Sequence, residues 1–129
     1  MSKVEVRAAA ANLVEAFSRH DTEAYFAAFA PEATFIFHST PEVLESRDAY
    51  RSLWSTWESE GFHVLECVST NAEVRMLGED VGVFFHDVAT SVDTAGERLE
   101  SHERETIIFQ RVGDAWLAVH EHLSVYPRY

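Results

Sequence analysis

At 129 residues, with 47% hydrophobic and 25% charged side chains, the chain has the size and composition of one folded domain spanning 1–129, not of two domains or a disordered segment. Its 10 basic against 22 acidic residues give a net charge of -12, which repels phosphate backbones and anionic headgroups and so argues against nucleic-acid and membrane partners. MSKVEVRAAAANLVEAF has no signal-peptide core and no run of about eighteen apolar residues occurs, so a cytoplasmic protein is expected; the single Cys67 has no partner for an intramolecular disulfide and reads as a small apolar residue.

From Val4 to about Arg19, the residues Val6, Ala9, Ala10, Leu13 and Phe17 recur at helical spacing, which predicts an amphipathic helix. Asp21 is a suitable N-cap for a second helix, Thr22 to Ala30, closed by Pro31. ATFIFH, Ala33 to His38, is β-rich and predicts a first strand. With Ser46 as N-cap, Tyr50, Leu53, Trp54 and Trp57 fall at i, i+3, i+4 and i+7 and predict a third helix.

Four strands are predicted next: Phe62 to Leu77, Val81 to Val92, Leu99 to Arg111 and Ala115 to Tyr126. Gly-Glu-Asp, Asp-Thr-Ala-Gly-Glu and Val-Gly-Asp separate them, and short turns between long strands mean an antiparallel meander. The expected class is α+β, with three N-terminal helices packed in a strongly curved antiparallel sheet.

HDTEAYFAAFAPEATF, from His20 to Phe35, resembles the helix-to-strand hinge of the SnoaL-like and nuclear transport factor 2-like (NTF2-like) superfamily. The Gly-Asp turn into WLAVHEHLS resembles the closing hairpin of SnoaL-like domains related to the association domain of calcium/calmodulin-dependent kinases. The resemblance covers roughly Ala8 to Val125. It implies a cone-shaped α+β barrel, open at one end into a pocket and dimerised through the outer face of its sheet. Activity does not follow from it, because similar domains include ketosteroid isomerases, cyclases, epoxide hydrolases, dehydratases and modules without chemistry.

Alternation selects the pocket face. In the last strand Leu117, Val119, Glu121, Leu123 and Val125 share one side, opposite Trp116, Ala118, His120, His122 and Ser124. In the strand before it, Leu99, Ser101, Glu103, Glu105, Ile107 and Phe109 form the more apolar set. The resemblance gives the same phase for both strands. In Val81 to Val92 two sets compete, and the resemblance alone favours Gly82, Phe84, His86 and Val88 as inward.

Glu103, Glu105 and Glu121 would then face one apolar cavity with His86, where desolvation and crowding raise carboxyl pKa values into the range for acid/base work. His38, at the end of the first strand, is a further candidate base. It lies within one residue of the position where ketosteroid isomerases carry their proton-abstracting aspartate, but Phe37 and His38 are not carboxylates, and Phe17 stands where those enzymes have a tyrosine. Both departures argue against ketosteroid isomerase activity.

The candidate cavity wall comprises Tyr25, Phe37, Trp54, Phe84, Val88, Ile107, Val119 and Leu123. Tyr25, Tyr50, Trp54, Trp57 and Phe62 either line the mouth or fill the core, and an aromatic stripe at helical spacing usually does the latter. His120 and His122, even with His102 or His38, fall short of the convergent set a metal site requires, and the pair fits a dimer interface. No Gly-rich phosphate loop, nucleophile elbow or CxxC occurs, so neither metal nor cofactor is expected. Two readings follow: a homodimer binding a small apolar molecule for cofactor-independent isomerisation, cyclisation or dehydration, or a ligand-binding or assembly module without catalysis.

Overall fold

Three helices pack on one face of a five-stranded sheet in the computed structural model, which describes residues 2–128. In chain order these are α1 (Ser2–Ser18), α2 (Thr22–Ala27), β1 (Phe29–Phe37), α3 (Arg47–Ser59), β2 (Phe62–Met76), β3 (Val81–Thr94), β4 (Glu97–Val112) and β5 (Ala115–Val125). Both predicted caps form. Asp21 Oδ1 accepts from the Ala24 N–H at 3.2 Å and Ser46 Oγ from the Ala49 N–H at 3.0 Å, each satisfying one of the orphan donors at a helix start.

The hinge before Pro31 differs from expectation. α2 ends at Ala27, and β1 begins at Phe29, ahead of the proline rather than after it. A residue preceding proline is pushed toward extended backbone, and proline is tolerated on an edge strand where no ladder bond needs its missing N–H. β1 is such an edge, and the Ala118 N–H reaches back to the Ala28 carbonyl at 2.9 Å.

The strand order is β1-β5-β4-β3-β2. β2 to β5 pair antiparallel as a meander, but β1 pairs with β5 in parallel, Phe35 opposite Glu121 and Phe37 opposite Leu123. The α+β architecture is therefore as the sequence predicts, while the sheet is mixed and open rather than wholly antiparallel and closed into a barrel. Parallel pairing is a long-range outcome that no local turn signal announces.

β5 also carries a bulge. Ile108 pairs with His120 but Phe109 pairs with Ala118, so Val119 is one residue too many and the alternation inverts there. Ala118 is inward on one side of the bulge, and Glu121 is inward on the other.

The core lies between helices and sheet and is strongly aromatic. Trp54, Tyr25, Phe26, Phe29, Phe35 and Phe109 are fully buried, and Phe26 meets Trp54 edge-on at 5.6 Å. Such pairs add about 0.5–1.5 kcal/mol beyond area burial. α1 lies close over β3 because position 82 is glycine: a Cβ there would come within 2.9 Å of Val6 Cγ2.

Candidate active site

Between α1, α3 and the concave face of the sheet lies a cavity of ≈ 160 Å³. Leu13, Val14 and Phe17 of α1 form one wall, and Tyr25, Tyr50 and Trp57 form a second. Inward residues of the strands close it, including Phe62, Cys67, Val88, Val92 and Leu123. Its charged lining residues are Glu103, Glu105 and Glu121, with Ser39 and Ser101 among the polar ones.

β4 places Glu103, Glu105, Ile107 and Phe109 on one face, and the β5 bulge brings Glu121 opposite Ile107 on the same side. Glu121 is 3% exposed. Burial pushes its carboxyl well above the usual carboxylate range, and the neighbouring Glu105 charge pushes it further. Burial also pushes Glu105 up, but hydrogen bonds from Glu121 and His86 outweigh it and hold Glu105 below its ordinary value. The two carboxyls are thus pushed in opposite directions, Glu121 toward its protonated form and Glu105 toward its ionised form.

His86 fixes that charge. Its side chain is fully enclosed, with Nε2 2.7 Å from Glu105 Oε1 and Nδ1 2.6 Å from Ser69 Oγ. Nε2–H donates to Glu105, while Nδ1 and the Ser69 hydroxyl hold the ring from its other side. On the opposite wall the Tyr25 and Tyr50 hydroxyls lie 2.9 Å apart, and burial followed by the Glu121 charge raises both well above the ordinary phenol value. Both are neutral donors at any physiological pH. Burial pushes the Cys67 thiol up to about 11, so it faces the cavity as an unreactive thiol.

Residues 6–128 match the family described as the SnoaL-like domain. The chain belongs to that family. Among solved structures, this SnoaL-like domain is similar to an NTF2-like protein of unknown function in nutrient uptake from Rhodospirillum rubrum, at 22% identity over 95% of this chain and 98% of that one, with a TM-score of 0.80. It is similar to the CamKII hub homology domain of Chlamydamonas reinhardtii, at 21% identity over 98% and 99% of the two chains, with a TM-score of 0.77. A ketosteroid isomerase-like protein from Erwinia carotovora atroseptica superposes with a TM-score of 0.85 at 14% identity, covering 98% of each chain. Identities this low establish a shared NTF2-like fold and carry no activity with them.

Within the SnoaL-like domain, the structure brings Glu103, Glu105 and Glu121 to one cavity, together with Tyr25, Phe37, Val88 and Leu123. His86 stands behind Glu105 rather than in the cavity wall. His38 sits at the rim, where its Nε2 lies 2.6 Å from Glu103 Oε2. Four sequence-based wall candidates are placed elsewhere. Trp54, Phe84 and Ile107 are buried in the packed core, filling the space beneath the cavity, and Val119 is half-buried at the bulge, which turns it out of phase with Glu121.

Of the aromatic stripe, Tyr50 and Trp57 face the cavity and Trp54 does not. Thr90 and Val92 also line it, and they continue the phase of His86 and Val88, a signal that could have found them. Leu13 and Phe17 are legible in the sequence only as an apolar helix face. Ser69 gives no signal at all. Among the described residues no three His, Cys, Asp or Glu converge as metal ligands, and His120 Nδ1 instead meets Thr34 Oγ1 at 2.8 Å. Among the same residues no helix is long and apolar enough to cross a membrane.

Proposed function

We propose that this SnoaL-like domain binds a small apolar carbonyl compound and catalyses cofactor-independent proton transfer on it, as in isomerisation, cyclisation or dehydration. Glu105 is the base and Glu121 the acid. One observation carries the reading: two carboxyls in a single apolar cavity have environments that push their proton affinities in opposite directions, which is how an acid and a base coexist at neutral pH. The Tyr25–Tyr50 pair supplies a neutral donor for the substrate oxygen as negative charge develops there.

The test does not depend on the identity of the natural substrate. Small ketones and enones are screened by thermal shift, and every binder is then followed by NMR in deuterated buffer for exchange of its α-protons. Wild type is expected to accelerate exchange, and Glu105→Gln to lower the rate about 100-fold or more. The rate falls on the acid side only below the ordinary carboxylate range, where Glu105 takes up a proton, and on the alkaline side as Glu121 ionises. A ligand held in the cavity without any exchange would leave a binding module in place of an enzyme.

Assembly is a second reading, compatible with the first. Val68 and Phe85 stand exposed on the convex face of the sheet, at 45% and 37%, and the likeness to a hub homology domain supports pairing through that face. Sedimentation velocity at micromolar concentration is expected to show a dimer, shifted to monomer by Phe85→Lys with an unchanged circular dichroism spectrum. A monomeric wild type would rule the pairing out.

A further inference from the structure

We infer that His20 is a pH-sensitive latch on the cavity mouth: its neutral ring ties three elements together there, and its protonation lets them part. The latch is independent of the proposed chemistry; only its effect on ligand entry rests on the cavity being a binding site.

The backbone at His20 is the first sign. α1 ends in a left-handed turn in which the His20 N–H donates to the Phe17 carbonyl at 3.0 Å and the Asp21 N–H to the Ala16 carbonyl at 2.9 Å. His20 occupies the position with φ +53°, which glycine usually fills at no steric cost. What a glycine there would lose is the ring.

That ring, 8% exposed, joins the turn to two other elements. Nδ1 lies 2.9 Å from the Val64 backbone nitrogen near the start of β2, and Nε2 lies 2.8 Å from Glu58 Oε2 near the end of α3. A backbone N–H can only donate, so Nδ1 is the bare nitrogen and Nε2 carries the hydrogen given to Glu58. β2 is an edge of the sheet. The Val64 bond, with that of the Cys67 N–H to Ser18 Oγ at 2.9 Å, covers backbone donors on this edge.

Each of the three tied elements supplies one aromatic side chain to the outer cavity wall. Phe17 lies on α1, Trp57 precedes Glu58 on α3, and Phe62 opens β2. All three line the cavity and are half-buried, whereas Tyr25 and Tyr50 are buried. The His20 ring itself packs on Phe62 at 5.7 Å between centroids and stacks on Trp54 at 4.9 Å.

Protonation acts on one side of the latch. A proton on Nδ1 would point at the Val64 N–H, so that a donor replaces the acceptor. Glu58, whose carboxyl the His20 hydrogen bond holds below its ordinary value, attracts the charged ring from the α3 side. On the β2 side stands His63, stacked at 4.3 Å, which adds a like charge when it too takes up a proton. Arg19 and Asp21 flank His20 on its own turn and pair with each other at 3.3 Å. The imidazolium is thus drawn to α3 and repelled from β2, which loosens Phe62 against Phe17 and Trp57.

The test follows three NMR signals without ligand: the His20 ring nitrogens, the exchange protection of the Val64 amide, and the Trp57 indole N–H in a neutral paramagnetic cosolute. At about pH 8 the ring nitrogens are expected to show the Nε2–H tautomer. Between about pH 8 and about pH 5, where imidazoles titrate, Val64 should lose at least about fivefold in protection, and the Trp57 signal should broaden as cosolute enters. His20→Asn keeps an acceptor for Val64 and tolerates the left-handed backbone, so it should hold both signals level over that range. His63→Gln should keep the response, which assigns it to His20.

Should the asparagine variant not fold, wild type and His63→Gln decide alone. An Nδ1–H tautomer at about pH 8 overturns the inference, as do Val64 protection and Trp57 broadening that stay level while His20 takes up its proton. Cyclohexenone, followed in the same series, should exchange with its bound form faster at the acid end; equal rates overturn the latch as a gate. No binding of cyclohexenone at any pH would count against the proposed function and leave the latch decided by the three signals.

Discussion

His86→Leu is expected to destabilise the domain by about 3–5 kcal/mol at neutral pH, the cost of leaving a buried carboxylate without its hydrogen-bond donor. The imidazole is 0% exposed and the Glu105 side chain 11%, so water cannot replace the 2.7 Å hydrogen bond that is lost. Because Glu105 is held below its ordinary value, its contribution is present above the unfolded carboxylate pKa and disappears as pH falls through the folded one. The penalty should therefore shrink toward acid pH, where Glu105 protonates in the variant. Adding Glu105→Gln to His86→Leu should recover most of the loss, since no buried carboxylate is then left without a donor. Urea unfolding of the two single variants and the double variant at neutral and acid pH gives the coupling directly. A single-variant cost below about 1 kcal/mol, typical of a neutral exposed hydrogen bond, would show that Glu105 carries no buried charge.

Glu121 shows the opposite pH behaviour. Its folded-state pKa is raised, so the folded protein binds a proton that the unfolded chain releases at lower pH. Stability associated with Glu121 is complete below the unfolded carboxylate pKa of about 4.3 and is lost as pH climbs toward the folded value, at up to about 1.4 kcal/mol per pH unit. Glu121→Gln removes that slope. Compared with wild type from pH 5 to 8, the variant should become progressively more stable, while the seven histidines, common to both proteins, cancel from the difference. Parallel stability curves for the two proteins would mean that Glu121 is ionised in the fold and would remove the acid from the proposed chemistry.

Much of this arrangement can be read from residue order. Strict alternation puts Glu103 and Glu105 on the face of Ile107 and Phe109, and the caps at Asp21 and Ser46 locate two helix starts, because both signals are local. The errors share a different origin. Alternation carried unbroken through WLAVHEHLS assigns Val119 to the cavity, but a bulge is specified by the partner strand's register, which the strand itself does not encode.

The division of the aromatic stripe between Trp54 in the core and Trp57 at the cavity depends on how α3 is rotated over the sheet. Ser69 becomes meaningful only when β2 and β3 pair, since a lone serine in an exposed strand has no distinguishing neighbours. The parallel union of β1 with β5 joins segments separated by most of the chain, beyond the reach of any motif.

That union also bears on how the chain acquires its form. Until β5 is synthesised, β1 has among the described residues only the Phe35–Leu44 bridge as a strand partner, so an apolar segment containing Phe35 and Phe37 waits on a stretch that leaves the ribosome much later. Closing so distant a contact late is slow and leaves an aggregation-prone edge open meanwhile. The segment that relieves this hazard, Ala115–Val125, is also the one that delivers Glu121, so covering the exposed edge and completing the cavity wall are one event.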